Sequence, residues 1–82
     1  MSRKYRDLEP QGRANGYTVS TGWRPSNEGS GESIAVVLEG EGEPFEAVAF
    51  QDLENAAEVA SIAARSIVYA LAAIGAHERD SR

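Results

Sequence analysis

The residues able to do chemistry in this chain are nearly all carboxylates, and one interval holds most of them. Between Arg24 and Arg65 there is no lysine or arginine, while Glu28, Glu32, Glu39, Glu41, Glu43, Glu46, Asp52, Glu54 and Glu58 all fall there. Glu39, Glu41 and Glu43 alternate around a glycine-rich turn, GEGEP, where clustered acids invite comparison with a calcium loop. Such a loop needs a ladder of aspartate and asparagine that this turn lacks, so the reading is a solvated acidic tip with no metal. The other chemical residues are isolated. His77, the only histidine, sits in a charged tail with no cysteine or evident carboxylate to orient it. Ser20, Thr21, Ser61 and Ser66 have no base at a recognisable spacing. The glycine and serine run near Glu28 precedes a strand rather than a helix and carries acids, which excludes a phosphate loop. The expectation is a protein with no catalytic residues and no cofactor.

The totals point the same way. Eighty-two residues allow one domain with a small core, and without cysteine neither a disulfide nor a thiolate metal site can support it. Oligomerisation is the remaining support. The net charge of −5 is segregated along the chain. Up to Arg24 there are five bases (Arg3, Lys4, Arg6, Arg13, Arg24) against Asp7 and Glu9, whereas the middle is purely acidic. A field of one sign repels nucleic acid and speeds encounter with basic surfaces. The N-terminal residues never enter an apolar run, so no secretory signal is expected, and the absence of cysteine fits a reducing cytoplasm.

These carboxylates must be positioned by a few short elements. Residues 1–15 are polar, aperiodic and carry Pro10 and Gly12, which reads as a flexible basic arm. After Asn15 and Gly16, Tyr17, Val19, Thr21 and Trp23 alternate with Thr18, Ser20, Gly22 and Arg24, the period of a half-buried strand. Trp23 ends that strand beside a long turn-rich loop, where its ring can close the core or anchor a partner. SIAVVLE, residues 33–39, is apolar on both faces and suits a central strand. The turn at 40–44 leads to a third strand, FEAVAFQ at 45–51. Asp52 then stands where a helix N-cap belongs, followed by Glu54 in the first turn.

The stretch from Leu53 to Ala76 is rich in alanine and predicts one helix of about six turns, with a stop at Gly75 and His77 and a charged tail at 78–82. The order predicts an α+β domain over residues 16–77, a three-stranded antiparallel sheet with one long C-terminal helix on it (βββα). Glu58, Ser61, Arg65 and Ser66 interrupt the helix, so it is not expected to span a membrane. It is also longer and more apolar than three strands can shelter. Tyr69, Leu71 and Ile74 on its overhanging end predict a homodimer interface.

In size, acidity, lack of cysteine and lack of catalytic residues, the chain resembles in format the small phage-encoded anti-defence proteins, of which anti-CRISPR inhibitors are the best known group. That resemblance implies a cytoplasmic inhibitor that occupies a basic, nucleic-acid-binding surface of a target protein and transfers no residue roles; the charge map itself makes the acids from Glu28 to Glu58 the expected contact. A second likeness lies in the run from Phe45 to Leu71, which is similar to the strand-then-helix segment of antitoxins with a partial RNase-H-like fold. It implies a dimeric regulatory module. Double-stranded RNA binding shares the order of strands then helix, but wants lysines where this chain has Asp52, Glu54 and Glu58.

Overall fold

The computed structural model describes residues 4–27, 29–51 and 54–80. It is an α+β protein in which an antiparallel sheet, ordered β1-β2-β3-β4 in sequence order, carries one helix on one face. The strands are β1 (Arg6–Ala14), β2 (Tyr17–Pro25), β3 (Glu32–Glu39) and β4 (Phe45–Phe50), and the helix is α1 (Ala56–Asp80). The expected three strands are present, and a fourth precedes them.

That fourth strand, β1, lies in the segment expected to be a flexible arm. Its hairpin to β2 is closed by Asn15 and Gly16 at φ 52° and 83°, the two consecutive left-handed residues of a type I′ turn, which Asn-Gly favours. Ala14 therefore pairs with Tyr17 and Arg13 with Thr18. The register then slips twice, between Arg6 and Glu9 and between Pro10 and Gly12, with Asp7 at φ 54° in the first slip. These irregularities erase the two-residue period, which is why β1 has no strand signal in the sequence. Pro10 is tolerated because β1 is an edge strand.

Alternation sorts β2 and β3 onto two buried faces. Val19, Ile34, Val36 and Leu38 meet Ala56, Ala60 and Ala64 of the helix, with Tyr17, Trp23, Phe50, Val68 and Leu71 around them. The helix contributes alanines at i, i+4 and i+8, so its backbone lies close to the sheet. On the opposite, outer face, Ser20, Gly22, Arg24, Ala35 and Val37 are also buried. Here the cover comes from the start of the chain. A side chain at Gly22 would place its Cβ 2.7 Å from Leu8 Cδ2 and 3.1 Å from Tyr5 Cβ, so only glycine seats both.

The helix crosses the sheet on a diagonal. It starts after β4, passes Val68 over Gly12 of β1, and brings Gly75 against Asn15 in the β1–β2 turn. It touches β1 most and β4 least. Three expectations are corrected. The helix does not stop at Gly75 and His77 but continues to Asp80. Its start is Ala56, with the Asn55 carbonyl accepting the first bond from Val59 N–H at 3.0 Å; Asp52 and Leu53 lie outside the described residues. And because Gly75 still faces the β1–β2 turn, Tyr69, Leu71 and Ile74 lie beside the sheet rather than beyond it. Only the last turn and a half overhangs. By length and composition α1 is apolar enough to cross a membrane, with mean hydropathy 1.7 over an 18-residue window.

Candidate functional site

The structure divides the expected acidic surface into three parts. Glu39, Glu41 and Glu43 are exposed at the tip of the β3–β4 hairpin, and among the described residues no ion pair holds them. Glu54 and Glu58 are exposed at the start of α1, at the opposite end of β4. Glu32 and Glu46 are committed within the chain. Glu28 and Asp52 lie outside the described residues.

Glu46 is the clearest correction to the expected contact surface. Arg24, only 6% exposed, donates from Nε to Glu46 Oε1 at 2.6 Å and from Nη2 to Oε2 at 2.8 Å. Its third nitrogen donates to the Pro25 carbonyl at 2.8 Å, and the Tyr5 hydroxyl donates to Glu46 Oε1 at 3.1 Å. The register explains the meeting. Arg24 is opposite Ser33 and Glu46 opposite Val37, so the pair bridges β2 and β4 diagonally across Ala35, whose small side chain leaves the space. The Arg24 hydrogen bond holds the Glu46 carboxyl below the usual carboxylate range, with the Tyr5 hydrogen bond adding to it. Burial pushes the Tyr5 phenol up, so it remains the donor. Glu32 is likewise held low by Arg6, through a fork that includes Nε to Oε2 at 3.0 Å, but this pair is exposed.

Trp23 is half-buried against the core, and the Arg6 guanidinium lies 5.6 Å from its ring centroid. The ring thus packs against the chain's own core and under Arg6, as the core-closing alternative expects. The expected dimer residues separate as well. Leu71 packs on its own core, while Tyr69 is 79% and Ile74 51% exposed.

The acids at the hairpin tip border an open cleft of about 490 Å³ on the outer face. Leu8, Tyr5 and Val37 give it an apolar wall, Glu39 and Glu43 stand at its rim with Glu46, and Lys4 lines it from the N-terminal side. An apolar wall leading to unpaired carboxylates suits the aliphatic stem and charged head of a lysine or arginine. Among the described residues, no group of three histidine, cysteine or acidic side chains is placed to hold a metal ion. Sequence reasoning missed Tyr5, Leu8 and Arg24 as parts of this site. The available signal was parity: Gly22 and Arg24 share the outer face of β2, and a buried arginine there requires an acid two strands away.

No family, curated protein or solved structure matches this chain.

Proposed function

We propose that this protein is a non-enzymatic binding module that inhibits by occupying a basic, nucleic-acid-binding surface of another protein in the cytoplasm. The observation that carries the reading is the cleft at the β3–β4 tip, where among the described residues no ion pair holds Glu39 or Glu43, though Lys4 also lines the cleft, while Glu32 and Glu46 are each paired with an arginine. Carboxylates free of an ion pair beside an apolar wall mimic the phosphates such a surface is built to receive. The anti-CRISPR format is consistent with this use and supplies no residue role.

The test uses a purified basic nucleic-acid-binding protein captured by this chain. Reversing charge at Glu39, Glu41 and Glu43 together should weaken capture at least tenfold, and DNA should compete with it. Unchanged capture by the triple variant, or a shift of labelled DNA by the protein itself at moderate salt, would overturn the reading.

A second reading, a regulatory module acting as a homodimer as in antitoxins, is favoured by the outward side of α1. Ile62 and Tyr69, seven residues apart on one side of the helix, are both more than half exposed there, and a twofold pair would bury the same patch twice. Light scattering across concentration distinguishes it, since a monomer throughout would remove it.

A further inference from the structure

The diagonal course of α1 leaves a wedge of the sheet uncovered. Val68 and Gly75 turn one flank of the helix toward β1, so Ala63, Ile67, Ala70 and Ile74, at helical spacing, fall on the flank away from β1, and the helix touches β4 least. At the helix start Phe50 is half-buried, but toward the hairpin tip Val48 and Phe45 become 37% and 51% exposed. Phe45 has its ring edge-on to Tyr17, with centroids 6.1 Å apart, as the end wall. Along the wedge runs the outer edge of β4, whose backbone groups have no neighbouring strand. Edge strands are normally blunted by lysine, proline or bulges that twist the edge away. β4 contains no lysine or proline, its one charge, Glu46, is turned to the outer face and paired with Arg24, and its bulge faces β3.

We infer that the β4 edge accepts an added strand from a partner protein, an extended segment alternating apolar and basic residues. The apolar residues would enter the wedge beneath the open flank of α1, and the basic ones would face the outer side near Glu39 and Glu43. Main-chain hydrogen bonds supply the attachment, and the two faces supply the selectivity. Charge decides against a second copy as the occupant. Antiparallel pairing of β4 with itself would set Glu41 and Glu43 of one copy beside Glu54 and Glu58 of the other, with no base between Arg24 and Arg65 to separate them. The inference rests on the proposed binding of a basic partner and adds the mode of attachment.

The probe is a blocked ten-residue peptide alternating valine and lysine, titrated into the isotopically labelled protein at low salt. Amide shifts and slowed hydrogen exchange confined to residues 45–50 and the 63–74 flank are expected. Replacing the peptide lysines by glutamate, or N-methylating its amides at every second residue, should each weaken binding at least tenfold. Val48→Lys should do the same while leaving the circular dichroism of the fold intact; if that variant fails to fold, the N-methyl arm carries the test. Binding that ignores N-methylation overturns strand addition while leaving the acidic-contact reading standing. Binding equal for the lysine and glutamate peptides overturns both. Protection of residues 45–50 that grows with protein concentration without peptide would assign the edge to a second copy and also overturn the proposal.

Discussion

The two outer strands of the sheet both face away from any neighbour, yet they are built from opposite materials. β1 carries Pro10, two register slips, a left-handed Asp7 and charges at Arg6, Asp7, Glu9 and Arg13, the devices that stop an edge from pairing further. β4 reads FEAVAF and leaves Phe45 and Val48 in the open. The helix sharpens the contrast by lying over β1 and diverging from β4. A chain that guards one edge so heavily is not indifferent to edge pairing, which is why the bare edge reads as a place of contact.

The contrast is broken most severely at the bridge that both edges share. Arg24 and Glu46 tie β2 to β4, and Tyr5, just ahead of β1, closes on the same carboxylate. Arg24→Ala would leave Glu46 without its cation, and Glu46→Ala would leave a nearly buried guanidinium. Either should cost about 2–4 kcal/mol in chemical denaturation, since breaking one side of a buried pair costs more than the pair contributes. Because the folded Glu46 carboxyl titrates below its unfolded value, its stabilisation is complete above the ordinary carboxylate range and is lost as pH falls through the lower, folded value. Glu46→Gln should flatten that acid limb. An unchanged limb would mean the bridge does not hold the edges together.

A smaller effect separates them. Gly22→Val places methyl groups where Leu8 Cδ2 and Tyr5 Cβ now sit, so the cover of the outer face must lift. The expected loss is about 1–3 kcal/mol, with hydrogen exchange accelerating in β1 and not in β4. Equal acceleration in both would show that β1 is not held independently. Smaller still in stability is Tyr69→Glu on the outward side of α1. It should change unfolding by less than about 0.5 kcal/mol, and any concentration-dependent association through that helix side should disappear. Persistent association would relocate self-contact to the β4 edge and remove the distinction between the two surfaces.

How far the sequence reveals this arrangement follows from the same contrast. β2, β3 and β4 are legible because alternation survives in them, and the helix because an alanine-rich run from Ala56 to Ala73 contains no glycine or proline. β1 is not legible, since the features that guard it are those that destroy its period; Asn15 and Gly16 alone announced a hairpin with nothing evident to pair. The charge map is legible as composition and misleading as surface. It cannot show that Arg24 and Arg6 reach forward to neutralise Glu46 and Glu32, or that Glu54 and Glu58 end on the far side from Glu41. Nor can an apolar periodicity tell a helix that overhangs a sheet's end from one displaced toward its side, which is what exposes Ile74.

The least disruptive change tests what holds β1 at its outer rim. Arg6 lies over the Trp23 ring, and Glu32 holds it there from the start of β3. Both partners are exposed, so salt screens the pair and its contribution to stability should be immeasurable at physiological ionic strength. Trp23 is the only tryptophan, so its emission reports the contact directly. Glu32→Gln should leave the unfolding midpoint where it is and shift Trp23 emission to longer wavelength as Arg6 swings away. Added salt should reproduce that shift in the unaltered protein. If Glu32→Gln instead loosens β1 as far as Gly22→Val does, the guarded edge is fastened by its charged rim, and the cover provided by Tyr5 and Leu8 is secondary.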